Sequence, residues 1–165
     1  MRNVTPQGRE LITQREGMKL RMYLDTAGKP TIGVGHLLTP AENASGAITI
    51  DGEQVLWRDG LTPSQVAWLL DKDLDVAERA VERLAPGLPD NQFDALVSVV
   101  FNIGVSAFEH PYKDQPDRPS GILRQIRAGR PDLVPAEFMK WVHSGGKVDK
   151  GLINRRKSEG AQWAG

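Results

Sequence analysis

Cysteine is absent from this chain of 165 residues, and with it go disulfides, thiolate nucleophiles and cysteine-ligated metals. Histidine is scarce. His36, His110 and His143 have no metal-site spacing, so chemistry without metal or cofactor is expected. No apolar run approaches the length of a membrane span, and no stable membrane association is expected. Met1 to Pro6 lack the apolar segment of a secretory signal, so a soluble protein retained where it is made is expected. Net charge is missing too, since 21 basic residues balance 21 acidic ones. The balance fails locally. Asp71 to Glu82 carries five acids against two bases, and Arg124 to Lys157 carries nine bases against three acids. A solvated helical surface is the plain reading of such segments. A face for a polyanion such as cell wall or nucleic acid is the sharper one. Nucleic-acid binding rests on that excess alone and is not expected.

What is present reads as one folded domain. Hydrophobic content of 39% with 25% charged residues is globular, and the length suits one domain or two small lobes sharing a core. Thr5-Pro6 predicts an N-cap with proline at the first helical position, and Gly17 a stop, giving a helix over about 5–16. Leu20, Met22 and Leu24 alternate with Arg21, Tyr23 and Asp25, the period of a half-buried strand. Thr26 to Pro30 is turn material, and Thr31 to Val34 resumes the extended run. With a loop of those five residues, Asp25 pairs with Thr31 across the hairpin. Gly33 and Gly35 leave one side of the second strand bare for a ligand or another backbone. Residues 40–61 are loop-rich, with a short strand at Ala47 to Ile50. Thr62-Pro63-Ser64-Gln65 is a capping box opening a long helix that ends before Pro86. Phe93, Leu96, Val97, Val100 and Phe101 mark another helix from near Pro89. A proline-bearing loop occupies 109–120, short helices follow around 120–129 and 132–142, Gly145-Gly146 breaks the chain, and a basic helix is expected from about 151 to 161. The layout is α+β and mostly helical.

The chemistry concentrates in Glu16-Gly17-x-x-Leu20-x-x-Tyr23-x-Asp25 followed by Thr31-Ile32-Gly33-Val34-Gly35-His36. Two carboxylates flanking a sugar bond are the usual equipment of glycoside hydrolysis, one as acid and one as base or nucleophile. Glu16 at a helix C-terminus faces the negative end of the macrodipole, which favours a retained proton. Read singly, Glu16 is an exposed glutamate, Asp25 a turn residue and Thr31 an ordinary strand residue. Their joint spacing is what carries the argument.

That block resembles the phage-type lysozymes of glycoside hydrolase family 24, the endolysins of T-even and lambdoid phages. Val100-Phe101-Asn102-Ile103-Gly104 and Lys150-Gly151-Leu152-Ile153-Asn154-Arg155-Arg156 resemble the family's later blocks, in order and over nearly the whole chain. The resemblance implies a lysozyme-like fold. A small mixed lobe with a β-hairpin would span about 14–61 and a linking helix about 62–84. A helical lobe of about 85–165 would be joined by the helix of about 5–16. It implies Glu16 as general acid, Asp25 as base or stabiliser and Thr31 as holder of the attacking water. The substrate would be the β-1,4 bond between N-acetylmuramic acid and N-acetylglucosamine of peptidoglycan. Leu37, Phe101 and Ser120 would contact the glycan. A water between the carboxylates makes inversion the expected outcome. A family asparagine before Trp141 has no match here, and the 109–120 loop is longer than the family pattern. The resemblance also suggests an ion pair of His36 with Asp73 and an approach of Arg155 to Glu16. The expected biology is a monomeric endolysin, held in the host cytoplasm until a holin-made lesion opens the way to the wall. A lytic transglycosylase and a non-catalytic wall-binding module are the competing readings.

Overall fold

In the computed structural model, which describes residues 2–165, helix α1 (Pro6–Glu16) begins where the sequence places it. Thr5 Oγ1 accepts from the Gly8 amide at 3.0 Å, so the cap supplies a partner that the first helical turn lacks. Gly17 closes the helix in the left-handed region, with φ 76°. The chain divides into two compact units, Glu10–Asp75 and the stretch up to Arg9 together with Val76–Gly165.

The Glu10–Asp75 unit holds a sheet of β1 (Lys19–Leu24), β2 (Pro30–Gly33) and β3 (His36–Leu37), antiparallel and in that order. Helix α2 (Pro40–Ser45) follows, then the hairpin of β4 (Ala47–Ile50) and β5 (Glu53–Leu56). Ile32, Val34, Ile48, Trp57, Val66 and Leu69 are buried here. Trp57 keeps its indole N–H satisfied on the Glu42 carbonyl at 2.8 Å. Helix α3 (Pro63–Leu84) starts at the expected capping box: the Thr62 amide donates to the Gln65 side chain, and the Gln65 amide to Thr62 Oγ1. The division into units falls inside α1 and inside α3.

In the other unit α4 (Asp90–Ile103) is followed by α5 (Val105–Glu109), α6 (Gly121–Arg127) and α7 (Val134–Phe138). The β6 (His143–Ser144) and β7 (Lys147–Val148) hairpin precedes α8 (Lys150–Ala164). Phe93, Leu96, Val97, Ile122, Leu123, Val134, Phe138 and Trp163 are buried. Phe138 meets Trp163 edge to face, centroids 5.8 Å apart, an arrangement that suits the aromatic quadrupoles.

Several local expectations need correction. β1 is not half-buried through its leucines and methionine. Leu20, Met22 and Leu24 are exposed, and Tyr23 is the strand's least exposed residue. The cause is its position at the sheet edge together with a register shift between Lys19 and Tyr23, where four residues of β1 run against two of β2. Such a bulge breaks the period-2 rule on which the expectation stood. Asp25 does not pair with Thr31. Thr31 lies opposite Tyr23, and Asp25 opposite Lys29. The segment expected as a helix over 132–142 is a 3₁₀ turn (Pro131–Leu133) plus the short α7. Gly145-Gly146 does not merely break the chain but turns the β6–β7 hairpin, both glycines at positive φ. Helices α2 and α5 and strand β5 went unforeseen. For α2 a signal existed: Thr39-Pro40-Ala41-Glu42 forms a capping box of the same type as Thr62 to Gln65.

Candidate active site

Glu16 is half-buried at the C-terminal end of α1. Its position follows from the helix stop at Gly17, which turns the chain back into β1. The Glu16 charge reaches Tyr23. Burial, then Glu16, then Asp25 push the Tyr23 phenol above its ordinary value of 10.0. Tyr23 thus sits in the field of both carboxylates, a relation that the alternation of β1 did not reveal.

The turn between β1 and β2 is built on Asp25. Its Oδ1 accepts from the amides of Ala27 and Lys29, each at 2.8 Å, while its own amide donates to the Lys29 carbonyl at 2.9 Å. This is an Asx-type turn. Among the described residues Oδ2 has no hydrogen-bond partner. Thr31 is 2% exposed, and its hydroxyl donates to the same Lys29 carbonyl at 3.0 Å. The Lys29 backbone therefore frames both side chains, its N–H on Asp25 and its C=O on Thr31. With its proton so directed, Thr31 Oγ1 retains only acceptor capacity.

Pairing continues across the sheet. Tyr23 lies opposite Thr31, and Thr31 opposite Leu37, so the three form one row on a common face. Leu37 ends this row 48% exposed. Gly33 is explained by packing: a Cβ there would lie 3.5 Å from Val66 and 3.8 Å from Leu69, so the approaching group is α3.

His36 makes the expected pair with Asp73, Nδ1 lying 2.9 Å from Oδ2, and a second with Glu42, Nε2 lying 3.2 Å from Oε2. The second partner was not foreseen. Burial works against the charged ring, but the hydrogen bonds and charges of Asp73 and then Glu42 outweigh it and raise the His36 pKa. For Glu42 burial works upward, and the Thr39 amide and His36 outweigh it, so its pKa is lowered.

Residues 13–159 match the family model described as phage lysozyme. The chain belongs to the phage lysozyme family. It is 33% identical over 162 residues to the endolysin of Salmonella phage P22, covering 98% of this chain and 97% of that one. It is 35% identical over 161 residues to the endolysin of Bacillus phage PZA, where 96% of this chain matches only 54% of the relative. The chain thus spans about half the length of that relative and nearly all of the other. A point mutant of P22 lysozyme superposes with a TM-score of 0.78 at 32% identity, all of both chains being covered. This phage lysozyme is accordingly a glycoside hydrolase of lysozyme type, mostly helical in the α+β class.

The remaining residues expected at the glycan belong to the other unit. Phe101 is half-buried in the last turn of α4. Ser120 is 1% exposed and is the N-cap of α6, its Oγ accepting from the Leu123 amide at 3.3 Å. Arg155 binds Glu159 through Nε at 3.0 Å and the Ser98 carbonyl through Nη2 at 3.2 Å.

Proposed function

We propose that this lysozyme hydrolyses the β-1,4 bond between N-acetylmuramic acid and N-acetylglucosamine with inversion. Glu16 is the general acid, Asp25 the base and Thr31 the group that holds the water. The framing of Asp25 and Thr31 by the Lys29 backbone carries the reading. It leaves two acceptors, Asp25 Oδ2 and Thr31 Oγ1, for one water. A water that directs both protons to acceptors keeps a lone pair for the anomeric carbon. As the C–O bond to the leaving sugar breaks, Glu16 gives its proton to the departing oxygen and Oδ2 takes one from the water. Leu37, at the end of the Tyr23–Thr31–Leu37 row, and Phe101 are glycan contacts in this reading. Ser120 enters as the cap that holds α6.

The protein acts as a monomer on the wall of the lysing host. Until a holin-made lesion opens the way it stays in the host cytoplasm. Among the described residues no helix is long and apolar enough to cross a membrane.

Clearing of permeabilised Gram-negative cells by wild type and by Glu16→Gln tests the assignment. Removing the general acid should lower the rate by a factor of about 10²–10⁴, and equal clearing would refute it. Product anomers read by NMR immediately after cleavage test inversion. Muropeptides ending only in anhydro-sugars would instead establish a transglycosylase.

A further inference from the structure

We infer that Tyr23 is a glycan-binding residue whose phenol hydroxyl donates a hydrogen bond to an acceptor oxygen of a sugar bound against Tyr23 and Leu37, the two ends of the Tyr23–Thr31–Leu37 row that reach solvent. The inference rests on the proposed function of that site and adds to it a hydrogen-bond donor for the sugar.

Three observations carry it. Tyr23 is the direct cross-strand neighbour of Thr31, which places the two side chains on one face of the sheet. It is the one half-buried residue of a strand otherwise exposed along its length. Among the described residues its hydroxyl has no hydrogen-bond partner, so its proton is available to a ligand. The chemistry of the row then shows a gap. Thr31 Oγ1 spends its proton on the Lys29 carbonyl, and Asp25 Oδ2 is a carboxylate oxygen, so both are acceptors towards a ligand. A sugar offers acceptors as well as donors, in its hydroxyl oxygens and above all in an N-acetyl carbonyl. Tyr23 supplies a donor beside these acceptors. Burial and the fields of Glu16 and Asp25 raise its pKa, which keeps the phenol protonated, and so a donor, over the neutral range.

Because the hydroxyl binds nothing within the protein, its removal separates ligand contact from folding. Tyr23→Phe should melt with wild type, and kcat/KM on a soluble peptidoglycan fragment should fall about three- to tenfold, the ratio that one neutral hydrogen bond supplies. In the Glu16→Gln background, which binds without turnover, the same change should weaken the Kd for that fragment by a similar factor. Unchanged kcat/KM and Kd would overturn the inference. So would a lowered melting temperature that accounts for the lost activity, since the hydroxyl would then be structural. The two proposals fail separately. Clearing by Glu16→Gln would defeat the function, whereas an inactive Glu16→Gln beside a fully active Tyr23→Phe would defeat only the role of Tyr23.

Discussion

Gly35 shows how closely the backbone approaches Glu16, the proposed general acid. A Cβ built there would lie 3.3 Å from Glu16 Oε2, and the residue has φ +74°. Gly52 has φ +82° with nothing within 4 Å of its Cβ position, so a side chain there meets the same backbone strain without the contact. Both Gly→Ala changes should cost about 1–2 kcal/mol of stability. Gly35→Ala alone should also lower kcat, by about tenfold, because the carboxylate must shift by a few tenths of an ångström. Equal kcat for the two variants would dismiss this role for the glycine. At His36 the signs differ for the two partners. The raised His36 pKa contributes stability that is complete below 6.5 and lost as pH rises through the folded value. The lowered Glu42 pKa contributes stability that is complete above 4.5 and lost as pH falls through the folded value. His36→Asn should therefore cost most between those limits, about 1 kcal/mol after allowance for solvent screening. It should cost little in alkaline solution and leave kcat intact. Denaturant melts across pH provide the check, and a deficit independent of pH would contradict it.

At the scale of elements, α4 and α8 are joined by charge inside the helical unit. Arg156 and Glu159 are both fully buried, Arg156 Nε lying 2.7 Å from Glu159 Oε2. Ser98 Oγ donates to Glu159 Oε1 at 2.6 Å, and Arg156 Nη2 to Asn102 Oδ1 at 2.9 Å. Removing one partner strands the other in a medium that solvates it poorly. Glu159→Gln should destabilise by about 3–5 kcal/mol. The Glu159→Met, Arg156→Met pair should recover part of the loss, as thermal melts would show. This network was not legible beforehand. Arg124 to Lys157 reads as a basic surface, yet Arg156 is wholly inside, because a lysine- and arginine-rich helix reveals its inward residue only once α4 lies against it. Element starts were legible where they depend on adjacent residues. Thr5-Pro6 and Thr62 to Gln65 begin helices because a cap hydrogen bond spans only three residues. The register of β1 against β2 was not. The bulge between Lys19 and Tyr23 depends on what the strand meets, so alternation alone pointed Leu20, Met22 and Leu24 the wrong way.

For the whole molecule, the lack of cysteine and of histidine at metal spacing leads to a simple expectation: hydrolysis of purified peptidoglycan should proceed unchanged in excess EDTA. Among the described residues no three His, Asp or Glu side chains gather as a metal site. A loss of activity restored by added divalent cation would overturn this. The sequence by itself determined the α+β class, the main helices, the family and the identity of Glu16, Asp25 and Thr31 as the residues to ask about. Those features reside in short-range spacing and local capping, which the linear chain carries in full. Only tertiary structure decided that Thr31 faces Tyr23 and Leu37, that the Lys29 backbone holds Asp25 and Thr31 together, and that His36 is clamped by Glu42 as well as Asp73. Each of those depends on which backbone group ends up beside which, and a bulge of two residues is enough to change the answer.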